Sequence, residues 1–316
     1  MAKILIICGP TATGKTGFAL DLCRRMPAEI ISADSRQVYR EMSIVTGKDI
    51  PAKAVCVNSA ISWHGQKLIY YRTGKTKIWL YDVVSPDQPF SVSHWHQAAN
   101  LVIKDILRRH RLPVIVGGTG LYIKSLTSPF SGITIPPNYS LRQQLSKETP
   151  VKLFHLLSRV DPSRAASLNS SDRANSRRLV RAIEIGLSAA APATPSLPES
   201  DFLIIGLRAD RKYLDSLIGD RVASRLKLGA RQEAETLLSR YGSDLPSMTA
   251  SGYRTFLFPD WETKWITAER QYLKRQLTWF NKQPGIKWFD ITDSNWRIAA
   301  QKYFLDWYND SDVKKS

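Results

Sequence analysis

An apolar run and a glycine-rich turn lie next to each other near the start of the chain, Ile4-Leu5-Ile6-Ile7-Cys8 and Gly9-Pro10-Thr11-Ala12-Thr13-Gly14-Lys15-Thr16. The turn satisfies the spacing G-x-x-x-x-G-K-[ST], and apolar residues continue at helical spacing from Phe18 to Cys23. The pattern predicts a buried strand, a phosphate-binding loop and a helix, in that order.

Each part of this loop has a chemical property that suits it to binding phosphate. Glycines let successive backbone N–H groups point inward, and the helix N-terminus adds partial positive charge. Lys15 supplies a full charge, and the Thr16 hydroxyl is a ligand suited to Mg²⁺. The motif does not specify which phosphate compound binds.

Further strands follow the same pattern. Residues 28–33 form an apolar run followed by Asp34, residues 112–116 precede Gly117-Gly118-Thr119-Gly120, and residues 202–207 form another apolar run. Strands alternating with helices are typical of a doubly wound parallel sheet, whose ligands bind at the carboxyl ends of the strands. We therefore predict an α/β fold with a P-loop NTPase-like parallel sheet core flanked by helices.

The chain also indicates a second domain. Residues 127–175 contain short, basic helical pieces punctuated by Pro and Ser, which predict a helical insertion into a core formed by 1–126 and 176–316. Within the core, Thr73-Gly74-Lys75 separates two strand-like segments, as in a hairpin. After residue 208 we predict one long helix to about Tyr241.

The charge balance points to a polyanionic partner. The formal net charge is +17, which favours nucleic acid, although a generally basic proteome gives the same balance without any partner. No basic leader precedes an apolar segment, and no apolar run approaches roughly 18 residues, so we expect a cytoplasmic protein without a membrane anchor. Three cysteines without C-x-x-C spacing indicate neither a disulfide framework nor a zinc site.

Several polar residues are candidates for chemistry, and each has a structural alternative. Asp34 suits a general base or a water-mediated Mg²⁺ ligand, but also a helix N-cap. Thr119 places a hydroxyl at the same sheet edge, or is a turn residue. Arg211 and Arg221 suit a diphosphate, or are surface arginines.

Two segments interleave basic and aromatic residues, namely Ser251-Gly252-Tyr253-Arg254 and Lys274-Arg275-Gln276-Leu277-Thr278-Trp279-Phe280. This combination grips backbone phosphates and stacks unpaired bases. The alternative is an amphipathic helix with its aromatic face in the core.

With these motifs, the sequence resembles the bacterial tRNA dimethylallyltransferases, also called tRNA isopentenyltransferases. Six blocks occur in the family's order: 9–16, Asp34-Ser35-Arg36-Gln37-Val38-Tyr39, Gly117-Gly118-Thr119-Gly120-Leu121-Tyr122, Arg177-Arg178-Leu179-Val180-Arg181-Ala182-Ile183-Glu184, 251–254 and 274–280. The resemblance covers nearly the whole chain. It departs from the family after Thr46-Gly47-Lys48, where a longer segment replaces the family's paired histidines.

The resemblance implies transfer of a dimethylallyl group from dimethylallyl diphosphate to N6 of the adenosine immediately 3′ of the anticodon. It implies that Asp34 is the general base and that Thr119 contacts the diphosphate near the breaking C–O bond. It places the diphosphate on Thr11, Ala12, Thr13, Gly14, Lys15, Thr16 and Arg211, with Mg²⁺ on Thr16. The implied tRNA contacts are the insertion and Asp34, Ser35, Arg36, Gln37, Arg177, Arg178, Arg181, Gly252, Tyr253, Arg254, Lys274, Arg275, Gln276 and Trp279.

The implied partners are dimethylallyl diphosphate and the anticodon stem-loop of tRNA, and we expect a monomer. Three alternatives stay open: an adenylate isopentenyltransferase acting on free nucleotide, an ATP-binding P-loop kinase of small molecules, and an RNA-binding P-loop protein without catalysis. The basic aromatic helix and the charge of +17 favour the tRNA enzyme.

Overall fold

A computed structural model describes residues 1–128, 132–133, 135, 137–188, 197 and 199–310. The chain divides into two compact units, one formed by Met1–Thr127 with Ser196–Ser316 and the other by Ser128–Pro195. In the described part of the chain, no helix is both long enough and apolar enough to cross a membrane.

Eight strands from the described residues form one sheet in the first unit. They are β1 Ala2–Cys8, β2 Ala28–Ser32, β3 Val55–Trp63, β4 Gln66–Thr73, β5 Thr76–Trp79, β6 Leu112–Gly117, β7 Ser200–Arg208 and β8 Lys287–Asp290. Their order is β3-β4-β5-β2-β6-β1-β7-β8. Pairing is parallel from β5 to β8, and β3, β4 and β5 pair antiparallel.

The helices that the structure describes are α1 Lys15–Arg25, α2 Val92–Arg108, α3 Gly120–Thr127, α4 Tyr139–Leu145, α5 Pro150–Val160, α6 Pro162–Ser167, α7 Ser170–Arg173, α8 Ser176–Leu187, α9 Arg211–Lys227, α10 Ala230–Tyr241, α11 Ser251–Thr255, α12 Trp261–Phe280 and α13 Trp296–Asn309. A 3₁₀ turn covers Pro246–Thr249. Helices α4 to α8 belong to the second unit.

Strand β1 lies at the centre of the parallel region and is apolar on both faces. Ile4 and Ile6 join one buried cluster with residues of α2 and α3, while Leu5 and Ile7 join another with residues of α1 and α13. Continuous apolar runs of this kind are required when helices cover both faces of a sheet. The predicted α/β class with a parallel, P-loop-type core is confirmed.

The antiparallel end of the sheet is larger than predicted. The hairpin around Gly74 is present as β4 and β5, but β3 was not predicted from the sequence. Strand β3 is the edge strand, its side chains are mostly exposed, and its register with β4 shifts between Asn58 and Ser62. An exposed strand with an irregular register lacks the clean apolar alternation by which sequence analysis finds strands.

The single helix predicted after residue 208 is wrong, because the segment forms two helices, α9 and α10. Gly229 separates them with φ of +96°, a left-handed conformation that glycine adopts without steric cost. The break directs Glu233 of α10 towards residues 43–45, whose three consecutive N–H groups donate to its carboxylate at 3.0, 2.7 and 2.9 Å. The loop after Tyr39 is thereby fixed to α10.

The second unit is helical, as predicted, but its boundary requires a correction. The sequence places α8 in the core, yet Leu179 and Ile183 pack with Leu153 and Leu157 of α5. Its buried Glu184 receives hydrogen bonds from the Arg142 guanidinium at 2.6 and 2.8 Å. The amphipathic face of α8 is satisfied within the helical unit, so the unit extends to Pro195 rather than to 175.

Gly9 offers a test of this architecture. A Cβ there would lie 2.2 Å from the Leu207 carbonyl oxygen of β7, at φ of +136°. We expect Gly9→Ala to lower the free energy of unfolding by at least about 3 kcal/mol, because both the clash and the backbone conformation oppose it. Denaturant titration measures this loss.

Gly74→Ala is the matched control. Gly74 also has positive φ, at +57°, but no atom lies within 4 Å of the point that a Cβ would occupy. We expect a loss of only about 1 kcal/mol there. Equal losses in the two variants would show that the approach of β7 to Gly9 is unimportant.

Candidate active site

A cavity of about 520 Å³ opens at the carboxyl ends of the parallel strands of the first unit. Its walls come from the loop after β1, the turn after β2, residues 45–49, the end of β6, and helices α9 and α12. The predicted residues that line it are Thr11, Ala12, Gly14, Lys15, Thr16, Asp34, Ser35, Arg36, Gln37, Arg275 and Gln276. The fold therefore brings distant motifs to one site, as expected for a parallel α/β sheet.

The phosphate-binding loop is held by its own polar groups. The Thr13 hydroxyl donates to the Pro10 carbonyl at 2.9 Å and is buried, so Thr13 supports the loop instead of lining the cavity. The Lys15 ammonium donates to the same carbonyl at 2.5 Å. Loss of hydration lowers the pKa of Lys15 to about 8, and the nearby Arg221 guanidinium contributes to this lowering.

Gln276 of α12 connects two parts of the cavity. Its amide oxygen accepts a hydrogen bond from the Thr11 N–H at 2.9 Å, and its amide nitrogen donates to the Gly118 carbonyl at 3.0 Å. Only 5% of Gln276 is exposed. These contacts fix the backbone of the loop after β1 and of the turn after β6, and Gln276 also lines the cavity.

Asp34 and Thr119 lie in adjoining turns. An Asp34 carboxylate oxygen accepts from the Arg36 N–H at 2.8 Å within a turn, so Asp34 is not the N-cap of a helix. The Thr119 hydroxyl accepts from the Ser35 N–H at 3.0 Å. Asp34 lines the cavity, whereas Thr119 holds the backbone next to it and is not a lining residue.

Tyr272 is a site residue that sequence reasoning missed. It lines the cavity, and the Thr119 side chain partly offsets the rise in its pKa. Burial raises the pKa of Tyr272, and the neighbouring Asp34 carboxylate raises it further. Its position one turn before Gln276 on α12 was the available signal.

The assignment of Arg211 to the diphosphate requires a correction. Its side chain is 60% exposed and lies 3.6 Å from Asp215 on its own helix, outside the lining of the cavity. Arg221 instead reaches the loop, where it donates to the Thr11 hydroxyl at 2.7 Å. Arg221 lies further along α9, which brings it to the cavity wall.

The residues of the first unit that were predicted to contact tRNA fall into two groups, one buried or half-buried and one exposed. Gly252 and Tyr253 are buried, with the Tyr253 hydroxyl donating to Glu233 at 2.6 Å, and Trp279 packs over Gly120. Gln37 is also buried, at 8% exposed, and donates to the Gly47 carbonyl at 2.9 Å. Gly252 and Tyr253 are thus interior residues, Trp279 is half-buried, and Gln37 also lines the cavity. The exposed residues of the set are Arg254, Lys274 and Arg275.

In the helical unit, the three arginines of α8 that were predicted to contact tRNA differ in their exposure and in their partners. Arg177 is exposed. Arg178 forms an ion pair with Asp172. Arg181 donates to Glu184 at 2.9 Å and to the carbonyls of residues 132 and 135 at 2.7 and 2.8 Å, so it stabilises the unit from within.

The cavity offers oxygen ligands for a metal ion without a preformed cage. No cluster of three or more His, Cys, Asp or Glu side chains suited to a metal occurs in the described ranges. The Thr16 hydroxyl and the Asp34 and Asp49 carboxylates nevertheless line the cavity, and Asp49 was missed from the sequence. This donor set fits Mg²⁺, which prefers few protein oxygens together with water and phosphate oxygens.

The fold and site define a P-loop α/β protein with a cationic cavity. The family model for IPP transferase matches residues 37–283, and that for isopentenyl transferase matches residues 2–59. The chain therefore belongs to the IPP transferase family, which confirms the resemblance.

Individual relatives agree with this assignment. A tRNA dimethylallyltransferase from Synechococcus sp. is 34% identical over 91% of this chain and 82% of its own, and one from Exiguobacterium sp. is 33% identical over 96% and 95%. A solved tRNA isopentenylpyrophosphate transferase from Bacillus halodurans is similar with a TM-score of 0.67 and 30% identity, covering 100% of both chains.

The lowered pKa of Lys15 predicts a pH dependence. Above pH 8 the free protein loses the Lys15 proton, whereas a bound anion favours the protonated form. We expect affinity for inorganic diphosphate, measured by calorimetry, to fall about tenfold for each pH unit above 8. Lys15→Arg stays protonated and corrects for titration of the diphosphate itself. An identical pH profile in both proteins would contradict the prediction.

Proposed function

We propose that this protein transfers a dimethylallyl group from dimethylallyl diphosphate to the exocyclic N6 of the adenosine immediately 3′ of the anticodon in tRNA, with release of diphosphate. The observation that carries the proposal is the presence of Asp34 in the same cavity as the phosphate-binding loop, in a chain of the IPP transferase family. The Asp34 carboxylate and the site for the leaving diphosphate then lie in the same cavity.

The chemistry requires one C–N bond to form while one C–O bond breaks. The exocyclic amine is a weak nucleophile, so alignment of N6 with C1 of the dimethylallyl group provides much of the acceleration. Asp34 accepts the proton that N6 loses. Lys15 and Arg221 stabilise the charge that develops on the departing diphosphate, which favours the transition state over the bound substrate.

Mg²⁺ is part of this proposal. The Thr16 hydroxyl would hold it, with the Asp49 carboxylate available directly or through water and the Asp34 carboxylate through water. A bound Mg²⁺ would supply further positive charge to the diphosphate oxygens.

The tRNA would contact both units. Exposed Arg254, Lys274 and Arg275 belong to the first unit, and exposed Arg177 belongs to the second. We propose that these residues bind the phosphate backbone of the anticodon stem-loop, since cationic side chains supply most of the affinity for nucleic acid. The target adenosine must leave the base stack to reach the cavity.

The substrate is tested by incubating the protein with Mg²⁺ and dimethylallyl diphosphate labelled in the dimethylallyl group, together with tRNA, AMP or ATP separately. We expect label on tRNA alone, at the adenosine following the anticodon. Label on AMP or ATP but not on tRNA would instead identify an enzyme acting on free nucleotide.

Asp34→Asn tests the base directly. The amide keeps the shape and the hydrogen bond to Arg36 but cannot take a proton from N6. We expect the single-turnover rate of prenyl transfer to fall at least about 100-fold, while tRNA affinity measured by filter binding changes less than about threefold. A parallel loss of rate and affinity would assign Asp34 a structural role.

The salt dependence of tRNA binding tests the exposed cations of α12. We expect Lys274→Gln and Arg275→Gln each to weaken tRNA binding and to reduce the slope of log K against log salt by about one unit. Lys302→Gln on α13 removes an equally exposed charge outside the cavity and should leave the slope unchanged. Slopes equal to wild type in both α12 variants would remove these residues from the interface.

A further inference from the structure

Two arginines on successive turns of α9, Arg221 and Arg225, converge on one wall of the cavity. Side chains four residues apart lie on the same helix face. A Cβ at Gly47 would lie 2.7 Å from Nη2 of Arg221 and 2.1 Å from Nη2 of Arg225, so both guanidinium groups pack against this glycine. Arg221 was a candidate from the sequence, whereas neither the motifs nor the resemblance pointed to Arg225.

Arg225 is the more deeply placed of the two, with only 6% of the residue exposed. Its Nη1 donates to the Val45 carbonyl at 3.1 Å and lies 3.9 Å from a Glu269 carboxylate oxygen, and the guanidinium lies 5.8 Å from the Trp265 ring centre. Within the described part of the chain, its hydrogen bonds use Nη1 alone. A guanidinium has five N–H donors, so most of its hydrogen-bonding capacity is uncommitted.

Burial of the Arg225 guanidinium costs free energy. Burial lowers the pKa of Arg225 to about 10, and the neighbouring Arg221 adds to the lowering. A buried charge is expensive without full pairing, and a contact of 3.9 Å with Glu269 is a weak compensation. An anion entering the cavity would complete the pairing.

The charges of the cavity lining support this interpretation. Lys15, Arg36, Arg221, Arg225 and Arg275 face three carboxylates, Asp34, Asp49 and Glu269. The lining therefore has an excess of positive charge. The loop lysine and the two α9 arginines come from separate elements, which lets them approach one polyanion from different sides.

We propose that Arg225 is a diphosphate-binding residue that acts with Arg221 and Lys15 on the leaving group. The inference rests on the proposed function, because it assigns a further residue to the same diphosphate site. The planar fork of Arg225 suits two oxygens of a phosphate group, and its buried position strengthens the interaction by excluding water.

The test is calorimetric binding of inorganic diphosphate in the presence of Mg²⁺. We expect Arg225→Gln to weaken binding at least about tenfold, since hydrogen bonds to charged groups are among the strong ones. Arg225→Lys should recover part of this loss because it keeps the charge but not the fork. Lys227→Gln, an exposed cation on the same helix, is the matched control and should bind as wild type.

Glu269→Gln separates a binding role from a structural ion pair. If Arg225 serves the anion, removal of the Glu269 charge lowers the repulsion in the cavity, and diphosphate should bind at least as tightly as in wild type. A purely structural pair would make Arg225→Gln and Glu269→Gln weaken binding alike, with equal losses of thermal stability. That outcome would overturn the assignment of Arg225.

Lys15→Gln distinguishes failure of this inference from failure of the proposed function. Weaker diphosphate binding in Lys15→Gln with unchanged binding in Arg225→Gln would overturn the role of Arg225 and leave the diphosphate site intact. Unchanged binding in both variants would overturn both, because the loop would then not hold diphosphate.

Discussion

The side chain of Gln276 fixes the backbone segments on which the cavity depends. One amide group joins Thr11 after β1 to Gly118 after β6, and Gln276 is 265 residues from Thr11 in the chain. A buried amide that loses its partners costs about 1–3 kcal/mol for each unsatisfied group, so the two hydrogen bonds favour this arrangement of the three segments. The geometry of the phosphate-binding loop is thus a property of α12 as well as of the loop.

A second constraint fixes the part of the cavity formed by residues 45–49. The Glu233 carboxylate accepts hydrogen bonds from the three consecutive N–H groups of residues 43–45 and from the Tyr253 hydroxyl. Arg225 donates a hydrogen bond to the Val45 carbonyl. The loop between β2 and β3 is therefore bound through its N–H groups by an anion and through a carbonyl by a cation. Helices α9 and α10 can hold it in this way because Gly229 breaks them apart.

The phosphate-binding loop has a different task here from the one it suggests alone. Backbone N–H groups, a helix N-terminus and Lys15 attract phosphate oxygens whichever bond is broken. What redirects them in the proposed reaction is Asp34, which faces the same cavity and would serve an amine. In that proposal, Lys15, Arg221 and Arg225 would act on the charge that leaves with diphosphate, so that the same electrostatics would serve carbon–nitrogen bond formation.

The sequence by itself determined the order of strand, loop and helix at 4–25, the parallel core, and Asp34 as a site residue, because apolar periodicity and glycine spacing are local signals. The tertiary structure decided what depends on distant partners. It placed Arg221 instead of Arg211 at Thr11, buried Gln276 and Tyr253, and added Tyr272, Asp49 and Arg225 to the cavity. The type of a residue can be read from the sequence, but whether its side chain is buried, paired or exposed depends on segments that lie hundreds of residues away in the chain.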